Sequence, residues 1–232
     1  MKIIAIETTG RHGSAAALHG ESRAARLVRQ TVLGGSQRTA QALAPALRDL
    51  LADVGWPPRS IDLVAVAVGP GSFTGLRIGV TTAKTLAYAL GANVMGVNSL
   101  VALAAQSPPS TGPLWTILDA QRQELFAAKF DADPRESGVV NCETPILRQD
   151  EWLARLNPGD WVMGPPLRRL AQRLPHGAVL VPETFWQPTA AAVGHVAWLA
   201  FQAGHRDDLW MLTPSYYRPS YAEEKRPSSR DR

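Results

Sequence analysis

Apolar residues follow two rhythms along this chain, and their order predicts an α/β architecture. Ile3-Ile4-Ala5-Ile6 is an unbroken apolar run, so residues 2–6 read as a strand buried on both faces. Gly10-Arg11-His12-Gly13 turns the chain, residues 14–18 return it, and His19-Gly20-Glu21 turns it again. Residues 22–28 read as a third strand, with Ala24, Arg26 and Val28 on one face. The period then changes to 3.6. Residues 37–54 predict an amphipathic helix with Ala40, Leu43, Ala44, Leu47, Leu51 and Val54 inward. Pro45 removes a helical hydrogen bond, so this helix is expected to kink or to start nearer Pro45. A strand at 61–68, a helix from Leu76 to Leu90, a strand at 93–97 and a helix at 98–106 complete the first half.

Ser107-Pro108-Pro109-Ser110-Thr111-Gly112-Pro113 is the richest Pro/Ser/Gly run and reads as a linker. It separates a unit at 1–106 from a unit at 114–220. The second unit is expected to have strands at 114–118, 124–130 and 139–147, a helix at 150–156 and a strand at 161–163. A helix at 166–174, a strand at 178–181 and a helix at 189–204 follow. Both halves therefore read β-β-β-α-β-α-β-α, the order of a ribonuclease-H-like unit. Duplicated, that unit gives the two-lobed actin-like (ASKHA) fold; two unrelated α/β halves are the alternative. Residues 221–232 form a short basic tail, expected to be flexible.

The junction at Gly69-Pro70-Gly71-Ser72-Phe73-Thr74-Gly75-Leu76-Arg77-Ile78-Gly79 is a strand, a tight turn and a helix start. Such a junction presents unpaired N–H groups at the positive end of a helix dipole, and its glycines let backbone approach backbone. Two enzyme motifs fail here. A phosphate-binding loop needs Gly before Lys84-Thr85, where Ala83 stands. A nucleophile elbow around Ser72 needs glycines where Pro70 and Thr74 stand.

Composition narrows the classes further. In 232 residues, 24 Lys and Arg oppose 20 acids, a net charge of +4, which permits nucleic-acid contact without requiring it. A single cysteine, Cys142, excludes an internal disulfide framework and suits a reducing cytoplasm. No run has the apolar length of a membrane span, and the N-terminus enters a strand directly, so no signal peptide is expected.

Glu7 and Asp119 end the first strands of the two halves, where a paired-carboxylate site for Mg-nucleotide is conceivable; capping or solvent exposure is the plainer reading. His12, His19, His176, His195 and His205 contain no pair four residues apart, the spacing that places two histidines on one ion. Gly75, Gly79, Ala83 and Ala87 recur every four residues. A stripe of small residues lets a neighbour pack closely, either the chain's own sheet or a partner helix.

The signature loop resembles that of the TsaB (YeaZ-type) family, and the resemblance extends nearly end to end. It includes Ile3 to Thr9, Ala83-Lys84-Thr85-Leu86-Ala87, Gly96-Val97-Asn98-Ser99-Leu100, Asp119 to Glu124 and Pro214-Ser215-Tyr216-Tyr217-Arg218. It is dense to about residue 130 and sparse beyond. Thr39 stands where the family commonly has His. The resemblance implies an actin-like fold and a non-catalytic, cytoplasmic scaffold without a cofactor. That scaffold supports the metal-bearing TsaD-type subunit as it transfers threonylcarbamoyl to tRNA adenosine beside the anticodon. A TsaE-type ATPase is the implied third subunit, a homodimer the implied state alone, and tRNA contact at most indirect or weak. The implied association helices are 37–54 and 75–91, with Leu43, Leu47, Gly75, Leu76, Gly79, Ala83 and Ala87 as interface residues. A stand-alone Mg-nucleotide-dependent phosphotransferase using Glu7 and Asp119 is the alternative; a peptidase, a label relatives have carried, is a weaker third.

Overall fold

The computed structural model describes residues 1–218 except 11, 23, 35–38, 110–111 and 132–137; the basic tail at 221–232 lies outside the described residues. The fold is mixed α/β with two five-stranded sheets. The first contains β1 (Lys2–Glu7), β2 (Ser14–Gly20), β3 (Ala25–Val32), β4 (Leu63–Gly69) and β5 (Asn93–Asn98), in the order β3-β2-β1-β4-β5. β1, β2 and β3 form an antiparallel meander, and β4 and β5 run parallel to β1.

Side chains alternate across this sheet with the period of two that a pleated strand imposes. Ile4, Ile6, Val64, Val66 and Val94 face α1 (Thr39–Asp53) and α2 (Phe73–Leu90). Ile3, Ala5, Leu63, Ala65 and Met95 face α3 (Ser99–Ala105) and α6 (Ala190–Gln202). Both faces are covered, so the central strands are continuous apolar runs. β3, at the edge, is largely exposed and carries Arg26 and Arg29, charges that discourage further strand pairing.

The second sheet contains β6 (Leu114–Asp119), β7 (Glu124–Phe130), β8 (Ile146–Arg148), β9 (Trp161–Met163) and β10 (Val179–Leu180). Its order, β8-β7-β6-β9-β10, is third-second-first-fourth-fifth, the same as in the first sheet. The directions match as well: β6, β7 and β8 are antiparallel, while β9 and β10 run parallel to β6. Two short helices, α4 (Gln149–Ala154) and α5 (Leu167–Leu170), accompany it. Helix α3 is buried throughout and lies between the two cores: Val101, Ala102 and Ala105 pack toward the first sheet, Leu100, Leu103 and Ala104 toward the second. Helix α6 follows the second sheet in sequence but packs on the first.

Several element boundaries differ from the sequence expectation. Helix α1 does not begin at Pro45; it runs through it, with Pro45 exposed. Its buried face is Ala42, Leu43, Leu47 and Leu50, and the expected inward Ala40 and Ala44 are exposed. The leucines orient the helix because each removes more apolar area from water than an alanine. The strand expected at 139–147 shrinks to Ile146–Arg148. Pro145 lacks the N–H a ladder requires, although its carbonyl still accepts from Ala127 N at 3.2 Å.

Candidate interaction site

The glycine loop is the joint between β4 and α2. Ser72 caps the helix, its Oγ accepting from Gly75 N at 3.3 Å, while its own N–H reaches Thr9 O at 2.9 Å. Gly71 has φ 156°, and a Cβ there would stand 2.4 Å from Thr9 Cβ. Thr8 Oγ1 donates to Gly75 O at 2.8 Å. A Cβ on Gly75 would lie 1.9 Å from Thr8 O, and one on Gly79 would lie 2.3 Å from Thr8 Oγ1. The two glycines of the stripe therefore let the start of α2 lie against the end of β1, while Ala83 and Ala87 are buried in the core beneath the helix.

This corrects the interface expectation. Gly75, Leu76, Gly79, Ala83 and Ala87 are all buried within the chain, as are Leu43 and Leu47 of α1. None of them offers a free face to a partner. Thr39 opens α1 and is half-buried. The exposed side of α2 carries Thr74, Arg77, Thr81, Thr85 and Tyr88.

A strap formed by residues 205–218 runs along α2. Asp207 accepts from Gly96 N at 2.7 Å, and Asp208 Oδ1 accepts from Trp210 N and Met211 N at 2.7 and 3.1 Å. Lys84 Nζ donates to Trp210 O at 3.1 Å and Leu212 O at 2.9 Å. Trp210 meets Tyr88 edge-on at 5.6 Å between centroids. Farther along, Ser215 N reaches Val68 O at 2.8 Å, Tyr216 stacks on Phe73 at 4.6 Å, and Arg77 Nε donates to Tyr216 Oη at 3.1 Å. The Arg77 guanidinium also lies 4.2 Å from the Phe73 ring centroid. The strap then crosses to the second sheet. Tyr217 Oη accepts from Asn98 Nδ2 at 3.0 Å, and Arg218 donates to Ala120 O at 2.7 Å and pairs with Glu124.

The strap displays a patch of apolar side chains at the C-terminal end of α2: Tyr88, Trp210 and Met211 are 68 %, 70 % and 77 % exposed. The sequence reading missed it. Leu209-Trp210-Met211-Leu212 looks like core material; only Asp208 just before it, a residue suited to holding a turn, hints otherwise.

The two candidate acids lie in unlike surroundings. Glu7 is fully buried, and desolvation raises its pKa to about 7 against the hydrogen bonds it accepts. Its Oε1 takes Thr9 N at 2.6 Å, Thr9 Oγ1 at 2.5 Å and Gly10 N at 3.2 Å, while Oε2 has no hydrogen-bond partner among the described residues. Asp119 is exposed, with Oδ1 accepting from Gln121 N at 2.8 Å and Oδ2 from Arg169 Nη2 at 2.9 Å. Among the described residues, no three His, Cys, Asp or Glu side chains converge as a metal site would need. Half-buried Cys142 has its thiol pKa raised by burial. No helix among the described residues is long and apolar enough to cross a membrane.

Comparison with known proteins places this geometry. Residues 35–141 match the family model described as TsaD, tRNA N6-adenosine threonylcarbamoyltransferase. The chain is 36% identical over 119 residues to the tRNA threonylcarbamoyladenosine biosynthesis protein TsaB of Bacillus subtilis, covering 50% of each chain. It is 30% identical over 129 residues to TsaB of Escherichia coli, covering 53% of this chain and 54% of that one. Over about half of its length the chain is therefore similar to proteins named TsaB. It spans about half the length of the curated relatives it matches. The fold extends further than the sequence match. A Pseudomonas aeruginosa structure described as similar to peptidase YeaZ superposes with TM-score 0.76 at 24% identity, covering 94% of this chain and 99% of that one. A second structure, YeaZ from the same organism, gives 0.74 at 23%, covering 93% and 99%.

Proposed function

We propose that this chain is the non-catalytic partner of a TsaD-type threonylcarbamoyltransferase and supports it in modifying tRNA adenosine. The same proposal reads the fold as actin-like: two ribonuclease-H-like lobes at 1–106 and 114–220 joined by 107–113. The repeated strand order in the two sheets supports that reading. A TsaD-type subunit is a natural counterpart, because this chain's own α1, α2 and β6 lie within the stretch that matches the TsaD family model. Two related chains carrying equivalent helices can meet through them in a near-symmetric contact.

The observation that carries the proposal is the exposed strip of α2 with its apolar end. Thr81, Thr85 and Tyr88 face outward, continuous with Trp210 and Met211 on the strap. Tyr, Trp and Met are enriched in interface cores, and contiguous exposed apolar patches mark contact sites. The docking surface is thus assigned to this outer strip, in place of the buried stripe. The same proposal includes a TsaE-type ATPase as third subunit of the complex and a homodimer as the state of the chain without TsaD.

Sedimentation of the purified chain with a TsaD-type subunit tests the proposal. One heteromeric boundary is expected, lost on Thr85→Arg. Incubated alone with Mg-ATP, the chain should show no turnover. Robust hydrolysis would favour the phosphotransferase alternative, and absence of any complex would remove the scaffold role.

A further inference from the structure

Helix α3 belongs to two cores at once. Val101, Ala102 and Ala105 lie in the core of the first sheet, and Leu100, Leu103 and Ala104 in that of the second. Moving one sheet relative to the other must pull α3 out of one core and return fully buried leucine or valine side chains to water. Paired domains that close on a ligand meet through more polar surfaces and bend at a few loop residues.

The residues at the two ends of α3 add polar ties to this packing. Asn98, 1 % exposed, caps the helix, its Oδ1 accepting from Leu100 N at 2.8 Å. Its Nδ2 faces Asn141 Oδ1 at 3.3 Å, Thr144 Oγ1 at 3.1 Å and Tyr217 Oη at 3.0 Å, and its backbone N–H reaches Val140 O at 2.8 Å. Residues 140–144 lie in the segment joining β7 to β8, and Tyr217 lies on the strap. One residue at the end of β5 therefore holds both.

At the other end, Gln106 Nε2 donates to Phe185 O and Gln187 O at 2.7 and 2.5 Å, and Gln106 Oε1 accepts from Thr189 Oγ1 at 3.0 Å. Residues 185–189 carry the chain from the second sheet back to α6 on the first. Gln106 thus ties the place where the chain leaves the first sheet to the place where it returns.

The end of β1 is closed by the same arrangement. Ser99 Oγ, on the first residue of α3, donates to Thr9 Oγ1 at 3.4 Å, and Glu7 beside it is fully buried. From the second sheet, Thr116 Oγ1 of β6 donates to Leu100 O at 3.3 Å. A buried amide or hydroxyl that loses its partners keeps its desolvation cost without the compensating bonds, so each tie resists opening.

We propose that α3, pinned at its ends by Asn98 and Gln106, locks the two sheets into one cooperative body that does not hinge, so that the end of β1 stays sealed when nucleotide is offered. A body of this build holds the outer strip of α2 at a fixed position relative to the second sheet. The lock does not depend on a partner's identity, and a chain that fails to sediment with a TsaD-type subunit would keep it.

Native-state amide exchange of the full chain in sub-denaturing urea tests the lock. Protected amides of β4 in the first sheet and β6 in the second should merge into one global opening as urea rises. Saturating Mg-ATP should leave exchange at 4–10, 98–106 and 114–119 unchanged. Asn98→Ala/Gln106→Ala should uncouple the sheets, with exchange in β6 roughly tenfold faster while β4 keeps its wild-type rate. If the double variant does not fold, Gln106→Ala alone, at a half-buried site, should give the same separation at smaller size. Wild-type β4 and β6 amides that open at separate urea concentrations overturn the proposal, because the halves would then be independent. So does a change in exchange on both sides of α3 on adding Mg-ATP. Folded variants whose two sheets still open together also overturn it, since Asn98 and Gln106 would not be the pins.

Discussion

Thr8 Oγ1 donates a 2.8 Å hydrogen bond to Gly75 O, and the Thr8 carbonyl occupies the space where a side chain on Gly75 would begin, 1.9 Å from its ideal Cβ. The end of β1 and the first turn of α2 are therefore in backbone contact. Gly75→Ala should destabilise the fold by roughly 1–3 kcal/mol or more, because the clashing atom is backbone and cannot rotate away. Gly71→Val meets Thr9 Cβ at 2.4 Å from a positive φ and should behave similarly. Urea midpoints of the two variants check this. Midpoints equal to wild type would mean that this joint tolerates side chains.

The burial of Glu7 gives a pH dependence with a definite sign. Its folded pKa is about 7 against an ordinary value of 4.5, so the folded state holds the proton more tightly than the unfolded chain. The favourable contribution is complete below about pH 4.5 and is lost as pH rises through 7, up to about 3 kcal/mol in total. Glu7→Gln keeps a neutral group of similar shape and should flatten stability between pH 5 and 7. Thermal unfolding across that range would show the difference as a slope present in wild type and reduced in the variant. Parallel slopes would mean that Glu7 does not titrate there.

Lys84 should hold the strap in place. Its ammonium donates to both Trp210 O and Leu212 O, charge-assisted bonds of the kind worth about 1.5–3 kcal/mol. Lys84→Met keeps the aliphatic stem and removes both bonds. Amide exchange at 208–212 should accelerate while β1 and β4 stay protected. Unchanged exchange at 208–212 would show that Leu212 packing alone fixes the segment.

How much of this could be read from the chain depends on whether the signal is local. β1 and β4 were legible because strands covered on both faces are apolar throughout, and the strand–turn–helix junction was legible from its glycines, although α2 begins at Phe73, capped by Ser72, and not at the expected Leu76. The direction of the Gly75/Gly79/Ala83/Ala87 stripe was not. A period of 3.6 says which residues share a face, and only the fold places Thr8 against that face. The β6–β7 turn was equally silent, since Gln121-Arg122-Gln123 has none of the glycine or asparagine that announces positive φ. The Trp210/Met211 patch was hidden for the opposite reason: its residues carry the strongest core signal and are exposed.

Ala83 and Thr85 lie two positions apart on α2 and should answer to opposite tests. Ala83 is fully buried against the first sheet, whereas Thr85 faces outward beside Tyr88. Ala83→Trp adds a large ring to a space already packed at interior density and should unfold the first sheet, visible as lost near-ultraviolet dichroism. Thr85→Arg should leave the dichroism and melting temperature near wild type, because exposed substitutions shift stability by about 0.5 kcal/mol or less. The same change should abolish sedimentation with a TsaD-type subunit, since a charge brought into the centre of a packed contact has no partner there. Trp210→Ala should weaken that association without disturbing the fold, since the ring is mostly outside the core. A Thr85→Arg chain that still joins the TsaD-type subunit with wild-type affinity would move the docking surface away from α2. The exposed strip would then need another occupant, and the strap would be left with a purely structural task.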